Sequence, residues 1–199
     1  MAEISLRDAL TLRRTVRQFT QTTVPRTALE RLIQAAQGET GAEGRRTAPS
    51  AHALFPLRLF VVAGRVDDLE TGLYAVDSAT LEMTKRHGKD LRPDLRRAAI
   101  GDPAWITDAA CIVAIAADMI GPCQHFADQP PYGARGARYV HMEAGAAAQN
   151  LQLQAVAEGL GAVLVGGFHD EATADILGLE APLAPLILLC VGAPEATPA

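Results

Sequence analysis

Between residues 138 and 159 the sequence keeps a helical spacing of apolar side chains without a break, and residues 144–148 contain only alanine and glycine. A helix of that length runs for about 33 Å and needs a long packing partner. Its small residues let another helix or a backbone approach closely, because the separation of packed helices depends on the side chains at the contact. Gly159 and Gly161 end the pattern. The chain must therefore build its core around one long helix.

The partner is a sheet. Residues 57–63, 109–117, 162–165 and 186–191 are short apolar runs with the length and β-branched content of buried strands. Residues 72–76 and 80–84, separated by Asp77 and Ser78, have the pattern of a hairpin. Helices alternate with these strands. Ser5 is placed to cap a helix reaching about residue 13, with Asp8 at its third position. Pro25 suits the first turn of a second helix that sets Leu29, Leu32, Ile33 and Ala36 on one face. Residues 87–100 and 171–177 read as further helices, and 38–50 and 122–136 as loops. A hairpin among alternating elements predicts an α+β fold, a mixed sheet with helices on both faces rather than a purely parallel one.

Composition narrows the class. At 199 residues the chain has the length of one domain. A net charge of −5 argues against a general nucleic-acid binder. Residues 1–10 alternate charged and apolar side chains, unlike a secretory signal. The longest apolar runs fall far short of the ~20 residues of a membrane helix. Cys111, Cys123 and Cys190 lack metal spacing, and two lie within strand patterns, as core thiols of a cytoplasmic protein would. The five histidines also lack metal spacing. Gly159-Leu160-Gly161 follows a helix and precedes a strand, the reverse of a dinucleotide fingerprint.

Four segments carry candidate chemistry, and each also has a plain structural reading. In residues 13–19, Arg13, Arg14, Thr15 and Arg17 offer planar cationic donors and a hydroxyl suited to a phosphate; they equally suit a solvated helix end. Pro49, Ser50 and Ala51 open a turn of small residues before a strand, where backbone N–H groups and the Ser50 hydroxyl approach a ligand or merely lead into the strand. Val165, Gly166 and Gly167 end a strand with paired glycines, which permit positive φ and close approach by a flat ring or simply make a turn. Tyr132 lies in a Gly-rich loop as a proton donor, a stacking group or an ordinary loop residue.

In this order the segments resemble the nitroreductase superfamily, and the resemblance runs from about residue 5 to residue 192. The Arg-Arg-Thr-Val-Arg-Gln-Phe run is similar to its N-terminal signature. The closest likeness is to the azoline dehydrogenase branch of the SagB/ThcOx type, through Pro49, Ser50 and Pro56, then Gly72, Leu73, Tyr74 and Asp77, then Arg135, Gly136, Arg138 and Tyr139, and finally Glu143, Ala144, Gly145, Gln149 and Asn150. His52 stands where that branch has glycine, and Pro131-Tyr132 where it has Lys-Tyr.

The resemblance implies a three-layer α/β/α sandwich on a mixed, mainly antiparallel sheet. It implies a single domain over residues 1–199, excursions near 85–107 and 120–136, and a flexible tail from 193. It also implies an intertwined homodimer with FMN at the interface. Arg13, Arg14 and Thr15 would then meet the phosphate and ribityl chain, Arg17 the pyrimidine side of the ring, and the 165–167 turn a flavin nitrogen, with residues 49–55, Pro49, Ser50 and Ala51 foremost, arriving from the partner. No basic residue follows Gly192, which shifts phosphate neutralisation onto Arg13, Arg14 and Arg45 or Arg46. The activity implied is hydride transfer between NAD(P)H or an organic substrate and a nitroaromatic, quinone or oxygen. The alternatives are a dehydrogenase of modified peptides and a non-catalytic flavin-binding scaffold.

Overall fold

The computed structural model describes residues 4–41, 44–77 and 79–195. In chain order the elements are α1 (Leu6–Leu12), α2 (Arg26–Gln37), a single 3-10 turn (Ala51–Ala53), β1 (Leu57–Ala63), β2 (Gly72–Val76), β3 (Met83–His87), α3 (Arg92–Ala98), α4 (Trp105–Asp108), β4 (Cys111–Asp118), α5 (Gly121–His125), α6 (Arg135–Ala157), β5 (Gly161–Val165), α7 (Asp170–Leu177) and β6 (Leu183–Gly192). The six strands form one sheet in the order β3-β2-β1-β4-β6-β5. Every ladder in it is antiparallel. Parallel pairing enters through isolated bridges, one of them Thr15 with Ala162.

Alternation along the strands makes three layers. In β4, Cys111, Val113, Ile115 and Ala117 face one core, with α2 and α6, while Ile112 and Ala114 face the other, with α3 and α7. Successive strand side chains point to opposite faces, so a strand covered on both sides reads as a continuous apolar run, and residues 111–117 are all buried. Burial pushes the Cys111 thiol up to about 12 and raises Cys190 as well, so neither is a thiolate at neutral pH.

The small residues of α6 are divided between two faces. Ala144, Ala147 and Ala148 are buried within the chain. Gly145 faces outward, and a Cβ built on it would meet nothing within 4 Å. Close approach is thus used first for packing inside one subunit. Gly136, in the first turn of α6, lies so near α5 that a Cβ would stand 2.2 Å from the Pro122 carbonyl carbon.

Three expectations need correction. The second hairpin arm is Met83–His87 rather than 80–84, with Val76 opposite Met83. The Asp77 carboxylate accepts from the N–H groups of Ala79 and Thr80, both at 2.9 Å, and this lengthens the turn; Ser78 lies outside the described residues. The helix expected at 87–100 is only Arg92–Ala98, because His87 pairs with Leu73 at the end of β3. The loop at 122–136 contains α5, started by Asp118, whose Oδ1 accepts from Ile120 N at 2.8 Å and Gly121 N at 3.0 Å. Residues 193–195 of the expected tail are held to the N-terminal segment: Thr20 N donates to Ala193 O at 2.9 Å and Glu195 N to Gln18 O at 3.1 Å. Residues 196–199 lie outside the described residues.

Candidate functional site

The basic run leaves α1 in an extended conformation and lies along the outer edge of β5. Thr15 bridges Ala162 in parallel, and Val16 N donates to Ala162 O at 3.1 Å. Arg14 caps the helix it follows, its Nη1 donating to Thr11 O at 2.8 Å and Arg13 O at 2.9 Å. That is the structural role a cation plays at a helix C-terminus. The Arg17 guanidinium stands 5.9 Å from the centroid of the Trp105 ring in α4. Arg13 is half-buried, while Arg14, Thr15 and Arg17 are exposed. Among the described residues, no carboxylate pairs with Arg13, Arg14 or Arg17. Beside Arg14 and Val16 a groove of about 480 Å³ runs to Gly159, Gly161 and Pro194.

β5 ends at Val165, which is buried, and the exposed Gly166 and Gly167 follow. Neither glycine has positive φ, so backbone freedom does not explain them. Nor does packing inside the chain: a Cβ on Gly166 would come no nearer than 3.9 Å to Leu164, and one on Gly167 no nearer than 3.8 Å to Ile100. At Gly161, by contrast, a Cβ would stand 2.6 Å from Val16, and at Gly192 2.9 Å from Phe19. The Gly166–Gly167 surface is bare without the chain's own packing requiring it. It is held rigidly, because Ile100 N donates to Gly167 O at 2.9 Å and Ala99 bridges Phe168.

The third segment approaches β1 through three non-glycine residues in the left-handed region: His52 (φ 51°), Ala53 (φ 55°) and Phe55 (φ 46°). Residues adopt that conformation only where their surroundings hold it. Here Ser50 does so, its Oγ accepting from Phe55 N at 2.9 Å. The Ser50 hydroxyl thus braces its own loop. Pro49 is exposed and Ala51 half-exposed beside it. Arg46 is drawn into this region too, donating to Gln37 Oε1 at 3.1 Å with its guanidinium 4.7 Å from the Phe55 ring centroid.

Behind the loop lies a residue that periodicity alone could not single out. Glu143 of α6 is 4 % exposed, and its Oε1 has no hydrogen-bond partner among the described residues. Gln37 Nε2 is likewise unpartnered. Burial raises the Glu143 carboxyl above its ordinary value, against the opposing effects of the Ser50 hydroxyl, the Arg46 guanidinium and the Gln37 amide. His52 and His125, 73 residues apart in sequence, also meet at this loop, with 2.9 Å between His52 Nδ1 and His125 Nε2. The signs of the first group were a glutamate within a helical run and its place in the motif from Glu143 to Asn150, and nothing in local spacing marks the second. Tyr132 is 75 % exposed and its hydroxyl has no partner among the described residues.

Within one subunit the basic run lies alongside β5, which leads into the glycine turn, and the Ser50 loop lies elsewhere. That loop leads into β1, which is separated from β5 by β4 and β6. Three strand spacings amount to about 14 Å.

The nitroreductase family profile matches residues 10–193. The chain belongs to the nitroreductase family. It is a nitroreductase-like oxidoreductase, and its relatives agree. A candidate nitroreductase of Methanocaldococcus jannaschii is 35% identical over 190 residues, covering 96% of this chain and 91% of its own. The crystal structure of a candidate nitroreductase from Ralstonia eutropha JMP134 superposes with a TM-score of 0.80 at 24% identity, covering 99% of this chain and 86% of that one. A chain of the Escherichia coli microcin synthetase McbBCD complex, with truncated pro-MccB17 bound, shares the fold at a TM-score of 0.76 and 20% identity, covering all of this chain and 75% of that one. Among the described residues no helix is long and apolar enough to cross a membrane.

Proposed function

We propose that this nitroreductase-family protein is an FMN-dependent oxidoreductase acting as a homodimer, with a flavin at each subunit interface. The observation that carries the reading is the coincidence, along one sheet edge, of an arginine strip with no carboxylate ion-pair partner among the described residues and a glycine turn left bare without intrachain cause. The donor set fits the group: arginines and a threonine hydroxyl suit a phosphate, and a Cβ-free turn suits a flat ring.

In this reading Arg13, Arg14 and Thr15 hold the phosphate and ribityl chain, and Arg17 stands by the pyrimidine edge, where a cation favours the reduced anionic ring. Val165, Gly166 and Gly167 present backbone N–H groups to the ring. The Pro49, Ser50 and Ala51 segment covers the ring of the other subunit. The lateral separation of β1 from β5 supports that exchange, since one chain does not bring its loop to its own glycine turn. FMN, when bound, supplies hydride acceptance and donation; the protein supplies orientation, ring electronics and access for NAD(P)H and an acceptor such as a nitroaromatic, quinone or oxygen. Tyr132, exposed and with no hydroxyl partner among the described residues, enters as a stacking or proton-donating group.

The deciding experiment is the visible spectrum of purified or FMN-reconstituted protein, followed by anaerobic titration with NADH and NADPH. Bound FMN bleached by either nucleotide is the expected result. Bound FMN that neither bleaches leaves a flavin-binding scaffold, and a protein that never takes up FMN removes the reading. Tyr132→Phe assigns proton donation to that residue if turnover falls ~100-fold or more; a change within about twofold removes the role.

A second reading, a dehydrogenase of modified peptides, rests on the Pro49-Ser50 and Arg135-Gly136 motifs together. It requires conversion of an azoline-containing peptide without added nicotinamide, and an unconverted panel of such peptides eliminates it.

A further inference from the structure

His52 and His125 form a built contact that neither the family likeness nor the flavin reading uses. Beyond the 2.9 Å approach of Nδ1 to Nε2, the two rings meet edge-on with centroids 5.2 Å apart. Both rest on Phe126, at centroid distances of 4.9 and 4.6 Å. Phe126 is buried and packs edge-on against Tyr139 of α6 at 4.8 Å. Both histidines are exposed on the outer side of this aromatic floor.

A hydrogen bond between two imidazoles needs one N–H and one lone pair. The pair keeps that bond while neutral or carrying one extra proton, and loses it when both rings are protonated. The contact can hold one extra proton shared between the two rings. The other ionisable groups around it are Cys123 of α5, Tyr139 and Arg135 of α6, with Arg135 5.9 Å from the Tyr139 ring centroid, and Glu143 behind Ser50. Among the described residues none of these hydrogen-bonds either imidazole.

We propose that His52 and His125 are the proton source for acceptor reduction. The proposal rests on the reading above, in which residues 49–51 cover the flavin of the partner subunit; His52 follows directly on the same loop. When a quinone is reduced at the expense of a dihydronicotinamide, the nicotinamide loses a hydride and becomes cationic. The quinone gains that hydride equivalent together with one proton. Starting from the pair that carries one extra proton, His52 gives its Nε2 proton to the quinone oxygen and takes the His125 Nε2 proton at Nδ1 across the 2.9 Å contact, which leaves both rings neutral. Water then returns one proton to the pair. Tyr132 is a poorer source, because among the described residues its hydroxyl has no second group to resupply a proton.

The test compares wild type, His52→Asn and His125→Gln, each loaded with FMN. Asparagine tolerates the left-handed backbone at position 52. Ferricyanide takes electrons without a proton, so the readout is the ratio of quinone to ferricyanide reduction rates at fixed nicotinamide. His52→Asn is expected to lower that ratio ~100-fold or more, with His125→Gln moving it in the same direction. Independently of activity, NMR titration of the imidazoles is expected to show two coupled steps in wild type and a single step for His52 in His125→Gln. A ratio within about twofold of wild type in His52→Asn overturns the proposal, and so does independent titration of the two rings in wild type. A wild-type protein that takes up no FMN overturns the flavin reading instead, and the titration still decides the pair.

Discussion

Gly161 and Val16 approach each other so closely that a Cβ on Gly161 would stand 2.6 Å from Val16 Cγ1. This contact seats the arginine strip on β5, because Val16 N and Thr15 pair with Ala162 directly beside it.

Two glycine substitutions therefore separate packing from ligand contact. Gly161→Ala is expected to cost about 1–3 kcal/mol of stability, the usual penalty for overpacking, and to weaken FMN binding by displacing the strip. Gly166→Ala meets only ordinary contact within the chain. It is expected to leave stability within about 0.5 kcal/mol while weakening FMN at least tenfold. Urea denaturation and quenching of flavin fluorescence measure the two effects separately. Equal effects of both variants on stability would contradict the assignment of Gly166 to the ligand.

The arginines are not equivalent. A hydrogen bond to a charged group is worth about 1.5–3 kcal/mol, so Arg13→Ala is expected to weaken FMN binding by ~10-fold or more, with the loss shrinking at high salt. Arg14→Ala is expected to lose less affinity and about 0.5 kcal/mol of stability, because its guanidinium already caps α1 through Thr11 O and Arg13 O. Fluorescence titrations at two ionic strengths, with thermal melts of the apoprotein, test the ranking.

Glu143 gives the protein a pH-dependent weakness. Its folded-state carboxyl lies above the ordinary value because it is buried. Between the unfolded value of about 4.3 and the raised folded value, the native state binds more protons than the unfolded one. Stability therefore falls as pH rises through that window. Glu143→Gln removes this term, so its stability relative to wild type is expected to improve from pH 4 to pH 7. Chemical denaturation at both pH values reads the difference, and a constant offset between the two proteins would rule out the titration.

Arg92 braces the chain on the far face of the sheet. It donates to both Asp90 oxygens, with Nε at 2.9 Å and Nη2 at 2.7 Å, and through Nη1 to Ala109 O at 2.7 Å. A Cβ on Gly64 would lie 2.0 Å from its guanidinium carbon. Gly64→Ala and Arg92→Ala are each expected to cost about 2–3 kcal/mol. The double variant is expected to be less destabilised than the sum of the two, since they disturb one contact. Additive losses in a double-mutant cycle would show that Gly64 and Arg92 act separately.

Local pattern carried much of this protein. The continuous apolar run of β4, the Ser5 cap on α1 and the long helix α6 were legible because each depends on residues within a few positions of one another. So was the segment order that resembles the nitroreductase family. Element ends were less legible where a side chain redirected the backbone, as Asp77 does in the hairpin and Asp118 at the start of α5. The tertiary structure alone decided the rest. It divided the small face of α6 between inside and outside, used the Ser50 hydroxyl to brace its own loop, and left Gly166 and Gly167 bare for reasons other than backbone conformation. It also buried Glu143 behind that loop and set His52 against His125. These relationships join residues on separate elements. Their distances are set by how helices and strands pack, and the spacing of residues along the chain does not encode them.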